Sequence, residues 1–134
     1  MSDDHLIKAA SDARSRAYAR YSKFAVGAAL LTNSGKVFQG CNVENVSLGL
    51  TMCAERVAVG SAVAQGVADF TAIAIVADSK LPILPCGACR QVLAEFNPAM
   101  RVVTSTIDGK RETVLLTDLL PRAKQGILEG PLDV

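Results

Sequence analysis

The chain has 134 residues, half of them apolar, a formal net charge of +1, few aromatics and a single histidine, His5. This is about one domain's length with enough apolar residues for a buried core. The near-cancelling charge argues against coating a phosphate backbone or an anionic membrane, and without Trp there is little to stack single-stranded bases on. One histidine near a chain end removes Ser-His-Asp and Cys-His mechanisms, leaving carboxylates, thiolates or a metal.

In chain order, residues 4–20 predict a helix, with Leu6, Ala9, Ala10, Ala13 and Ala17 on one face. This charged start has no hydrophobic signal core, and no apolar run is long enough to span a bilayer. The expectation is a cytoplasmic protein, whose cysteines are more often free, metal-bound or catalytic than disulfide-linked. Tyr21 to Phe24 reads as a loop. Val26–Leu31 and Lys36–Gly40 read as strands joined by the turn Thr32-Asn33-Ser34-Gly35. Asn42 to Thr51 is polar and reads as a loop.

From Met52 or Cys53 to about Gly66 the residues are strong helix formers, with Thr51 as a possible cap. Thr71–Ala77 is an apolar, β-branched run that predicts a strand buried on both faces. Cys86 or Gly87 to Phe96 predicts another helix, stopped at Asn97-Pro98. Arg101–Ser105 and Glu112–Leu116 predict the last strands, followed by a short helix or turn at residues 117–121. The expected fold is a single α/β domain over residues 1–134, a mixed sheet of about five strands with helices packed on it. The strand-helix-strand order from 71 to 105 favours parallel pairing there.

The four cysteines are Cys41, Cys53, Cys86 and Cys89. Cys86-Gly87-Ala88-Cys89 alone fits a redox pair, half of a structural zinc site or half of a catalytic one. Cys53, Cys86 and Cys89 all sit at predicted helix starts, where partial positive charge favours thiolates. Three such ligands suit a catalytic zinc, which keeps a fourth position open; a structural zinc would need a fourth protein ligand, with Cys41 the candidate and His5 a remote one. Glu55, two residues after Cys53, supplies a carboxylate where water activation needs one, although an acid in a helix's first turn is also common for dipole reasons alone.

Cys53-Ala54-Glu55 with Pro85-Cys86-Gly87-Ala88-Cys89 resembles the C-x-E…P-C-x-x-C signature of zinc-dependent nucleobase and nucleoside deaminases. Tyr21–Leu30 (YSKFAVGAAL) and Gly40–Thr51 (GCNVENVSLGLT) narrow the resemblance to the small homotetrameric cytidine deaminases, from about residue 8 to 121. The resemblance implies a three-layer α/β/α fold and one Zn²⁺ per chain on Cys53, Cys86 and Cys89. It implies that Glu55 carries protons between the attacking water, ring N3 and the leaving amine. Asn42 and Glu44 would bind the ribose hydroxyls and Phe24 would pack on the pyrimidine. Backbone groups at Ala54 and in segment 84–86 would take the base edge, and Arg56 would donate to the zinc-binding thiolates. The implied reaction is hydrolysis of cytidine or 2′-deoxycytidine to the uridine product and ammonia, in pyrimidine salvage. The partner is then a small nucleoside, with no nucleic acid and no membrane.

Two positions depart from the family's pattern: Leu48 and Lys124 stand where aromatic residues are usual. Their loss implies a site that is wider or more polar on one side. A second substrate reading follows, a modified cytosine nucleoside such as blasticidin S, with Leu128-Glu129-Gly130 faintly resembling the deaminases of that compound.

Overall fold

The computed structural model describes residues 2–125. Helix α1 (Asp3–Arg14) begins at Ser2, whose hydroxyl accepts the His5 N–H, and carries Asp3 and Asp4 in its first turn and Arg14 in its last. These charges complement the helix dipole. The helix stops at Ser15, not at residue 20 as its periodicity suggests. A long-range pairing takes the backbone instead: Tyr18 N–H donates to the Asn42 carbonyl and Glu44 N–H donates to the Tyr18 carbonyl, each at 2.9 Å.

The sheet is built outward from a hairpin. Strands β1 (Val26–Thr32) and β2 (Val37–Cys41) pair antiparallel. Strand β3 (Phe70–Ala77) lies antiparallel on the other side of β1, β4 (Arg101–Thr106) runs parallel to β3, and β5 (Arg111–Leu115) closes the far edge antiparallel. The order β2-β1-β3-β4-β5 is the expected mixed, five-stranded sheet, with its one parallel step between residues 71 and 105. That step needs a crossover, which helix α3 (Gly87–Phe96) provides.

Strand alternation sorts the core onto the sheet's two faces. Ala28, Leu30, Ile73 and Ile75 pack with Ala58 and Ala62 of helix α2 (Ala54–Ala64) and with Leu93 of α3. Ala29, Ala72, Ala74 and Val76 pack with Leu6 and Ala10 of α1. Three layers result, with α1 on one face and α2 and α3 on the other. Gly27 allows the first contact to be close, since a Cβ there would lie 1.9 Å from the Ala10 carbonyl oxygen. A short helix α4 (Leu116–Leu119) follows β5. No described helix is long and apolar enough to cross a membrane. Leu128-Glu129-Gly130 lies outside the described residues.

Candidate active site

Helices α2 and α3 begin side by side, and each begins on a cysteine. Cys53 caps α2 and Cys86 caps α3, both in extended conformation (φ −70°, ψ 154° and φ −65°, ψ 166°). Thr51, the conventional capping residue in the sequence, instead closes the 3₁₀ turn Leu48–Leu50. A cap is the last residue before the chain enters the helix, so each sulphur stands at the mouth of its helix rather than along its side. Cys89 lies in the first turn of α3 and is fully buried.

The Sγ atoms of Cys53, Cys86 and Cys89 all lie within 4.8 Å of one another, with Cys53 and Cys86 3.9 Å apart. Tetrahedral zinc with Zn–S bonds of about 2.3 Å separates its sulphurs by about 3.8 Å, so the donor set and its spacing fit this metal. Cys41 is not in the group; at the end of β2, its Sγ faces the Arg16 carbonyl at 3.6 Å. His5 is also outside it, on the exposed first turn of α1.

The cluster's electrostatics differ from sulphur to sulphur. Burial pushes the Cys86 thiol up, but hydrogen bonding from the Cys89 and Ala88 amides and from the other two thiols outweighs it, and the net shift is downward. The Cys89 thiol is pushed up, first by burial and then by the charges of Glu55 and Cys53. A bound cation reverses that penalty and deprotonates its thiol ligands outright. Three thiolates exceed the charge of one Zn²⁺, and Arg56 is placed to offset the excess. Its Nη2 donates to Cys53 Sγ at 3.7 Å and to the Thr51 carbonyl at 3.3 Å, while its buried Nε has no partner among the described residues. The Cys53 hydrogen bond raises the Arg56 pKa further, so this cation persists.

Glu55 is 5% exposed, on the first turn of α2. Burial raises its pKa, opposed by its own backbone N–H, the Cys89 thiol and Arg56. The upward shift is in the direction that lets a carboxyl hold a proton as well as release one, as a proton carrier must.

A cavity of about 280 Å³ opens over the sulphurs, lined by Phe24, Asn42, Glu44, Ala54, Glu55 and Cys86 among others. It brings together residues that the sequence scatters over four segments. Asn42 is buried; its Oδ1 accepts the Val26 N–H at 2.9 Å and its Nδ2 donates to the Phe24 carbonyl at 2.8 Å. Glu44 is held ionised below the usual carboxylate range, first by the Ser22 hydroxyl and then by the Ser22 N–H. A second cavity of about 440 Å³ adjoins the first through Ser22, Glu44 and Thr51, and Tyr21 and Leu48 complete its lining. Leu48 is exposed and stands on that side of the site, whereas Lys124 lines neither cavity.

Sequence reasoning did not single out Ser22, Ile83 or Arg90. Ile83 lines the first cavity beside Leu84. Arg90 donates through Nε to the Pro85 carbonyl at 2.8 Å and through Nη1 to the Leu119 carbonyl at 3.1 Å, fixing the segment before Cys86 against α4. Only the position of Arg90, directly after the Cys86–Cys89 motif, hinted at such a role.

Known proteins resemble this chain in sequence and in fold. A family model described as the cytidine and deoxycytidylate deaminase zinc-binding region matches residues 1–106. A cytidine deaminase of Halalkalibacterium halodurans is 51% identical over 119 residues, covering 88% of this chain and 90% of the relative. The crystal structure of cytidine deaminase from Burkholderia pseudomallei superposes with a TM-score of 0.88 at 53% identity, covering 91% of this chain and 98% of that one. A blasticidin-S deaminase of Bacillus cereus is more distant, 32% identical over 108 residues, covering 75% of this chain and 76% of the relative.

Proposed function

The chain belongs to the family of cytidine and deoxycytidylate deaminases, and we propose that the cavity beside its sulphur cluster is where a cytosine nucleoside is hydrolysed to the uracil nucleoside and ammonia. The relatives' names support zinc-dependent deamination of cytidine, and 2′-deoxycytidine is proposed as a substrate beside it. The single observation that carries the site is the cluster of Cys53, Cys86 and Cys89 behind a cavity that Cys53, Cys86 and buried Glu55 line.

Cys53, Cys86 and Cys89 would hold the zinc. When bound, zinc acts as a Lewis acid that makes water a nucleophile at neutral pH. The residues around it divide the remaining work. Phe24 packs against the pyrimidine ring, and Asn42 and Glu44 take the sugar hydroxyls. Backbone groups at Ala54 and in segment 84–86 bind the base edge and aim C4 toward the sulphurs. Glu55 accepts a proton from the water as its oxygen bonds to C4, and gives a proton to N3. Glu55 then takes the remaining proton of the C4 hydroxyl and gives it to the amine, the C4–N4 bond breaks to release ammonia, and the C4 oxygen becomes the uracil carbonyl. Arg56 offsets the negative charge of the thiolates throughout.

Residues 1–134 are read as a single domain, acting in the cytoplasm in pyrimidine salvage. Three cysteines gathered for a metal, rather than paired, are what a reducing compartment favours. A homotetramer is proposed from the family resemblance, and a run of exposed apolar side chains beside the site, Val46, Leu48 and Leu50, supports subunit contact. The opening at Leu48 favours one second reading, a bulkier cytosine nucleoside such as blasticidin S.

The test is the ultraviolet absorbance of cytidine mixed with zinc-loaded protein. A steady change from the cytidine to the uridine spectrum is expected. No change with zinc at one per chain would retain the metal site and move the substrate to the second reading.

A further inference from the structure

The Glu44 carboxylate is already engaged before any sugar arrives. Its Oε1 accepts the N–H groups of Tyr21 at 2.9 Å and Ser22 at 3.0 Å, and its Oε2 accepts the Ser22 hydroxyl. The same Ser22 oxygen accepts the Phe24 N–H at 3.0 Å. Between them Lys23 is in the left-handed region, with φ 63°, a conformation that a non-glycine residue keeps only where its surroundings hold it. The Phe24 carbonyl is held in turn by Asn42 Nδ2. One hydroxyl therefore joins the carboxylate at the sugar end of the cavity to the backbone of the aromatic residue at its base end.

A carboxylate offers about four acceptor positions. Three here are used by the loop, which fixes the direction of the one that remains. We propose that Ser22 is a positioning residue for the sugar: its hydroxyl aims the free acceptor of Glu44 at the ribose hydroxyls and holds Phe24 on the same cavity, making Ser22 a determinant of preference for a hydroxyl-bearing sugar. This rests on the reading that the cavity takes a cytosine nucleoside with its sugar at Glu44. Without the hydroxyl, Glu44 keeps its two amide bonds but loses the one that fixes Oε2, and the turn at Lys23 loses its bridge.

The experiment compares wild type, Ser22→Ala and Ser22→Thr on cytidine and on 2′,3′-dideoxycytidine, which lacks the hydroxyls that Glu44 would meet. Zinc content and melting temperature are measured on each protein to show that it is folded and loaded. Loss of one charge-assisted hydrogen bond should lower kcat/KM of Ser22→Ala on cytidine about tenfold, mainly through KM. Turnover of dideoxycytidine should fall by less, through the lost Ser22–Phe24 bond alone, so the preference between the two substrates should shrink, and Ser22→Thr should restore it. An equal loss on both substrates, or no loss on either, would overturn the role of Ser22 while leaving the nucleoside reading in place. A wild type with no preference for cytidine would remove the Glu44–sugar contact itself, and the role of Ser22 with it.

Discussion

Gly40 of β2 lies directly under Ala58 of α2: a Cβ built on Gly40 would come 2.4 Å from the Ala58 amide nitrogen and 2.3 Å from the Ala54 carbonyl oxygen. All of these contacts are with backbone, which cannot turn aside as a side-chain tip would. The missing side chain thus sets how deeply α2 seats on the sheet, and the first residues of α2 carry Cys53 and Glu55 into the site. Gly40→Ala should force the helix outward, lowering unfolding free energy by about 3 kcal/mol, the upper range for overpacking. Urea denaturation checks this. If the midpoint is unchanged, α2 seats more loosely than described.

Cys41 and Cys89 differ by only their place in the fold, one facing a backbone carbonyl and the other the sulphur cluster. Cys41→Ser should keep zinc at one per chain and keep activity. Cys89→Ser should lose most of its metal, since a weaker ligand replaces one of three. Chelation of the wild type should also lower its melting temperature: a metal present at a hundredfold over its dissociation constant adds about 2.7 kcal/mol to the folded state. Metal analysis of the two variants, with melting curves before and after chelation, reads all three outcomes. Zinc loss from Cys41→Ser would make the site a closed, four-cysteine one.

The cluster of Cys53, Cys86 and Cys89 beside Glu55 is legible in the sequence because these residues are compressed into two short motifs, each at a helix start that propensity also marks. The mixed sheet was legible because β3 is apolar on both faces and the hairpin before it carries its own turn. The end of α1 was not, since it is set by Tyr18 pairing with Val43, a contact that no local pattern announces. Nor was the capping role of the cysteines, because Thr51 is the better cap by residue type and only the 3₁₀ turn takes it away. The engagement of Glu44 with Tyr21 and Ser22 spans more than twenty positions and emerges only when β1 and β2 fold together.

Glu55 should be the proton carrier, and Glu55→Gln tests this with the smallest change of shape. The amide keeps the volume of a side chain that is only 5% exposed, so fold and zinc content should persist. It cannot accept the water's proton, and turnover should fall by about 10²- to 10⁴-fold, the usual contribution of general acid–base catalysis. The loss should lie in kcat rather than KM, since the change affects proton transfer and not the grip on base or sugar. A variant within tenfold of wild-type kcat would assign proton transfer to another group.

Val46, Leu48 and Leu50 are 78%, 73% and 68% exposed, three apolar side chains close together in the segment that leads into Cys53. Isolated exposed leucines need no explanation, but a cluster of this kind marks a surface that another molecule covers. If that molecule is a second copy of the chain, Leu50→Asp should place a charge in the contact and shift the protein toward smaller species in light scattering. The site residues lie beside this segment rather than in it, so the zinc content of the smaller species should be unchanged. Its activity then discriminates between two roles for assembly. A monomer that keeps kcat but binds cytidine more weakly would mean that neighbouring subunits complete the cavity near Leu48. A monomer with wild-type kinetics would mean that each chain holds a whole site. A wild type that is already monomeric would count against the tetramer altogether.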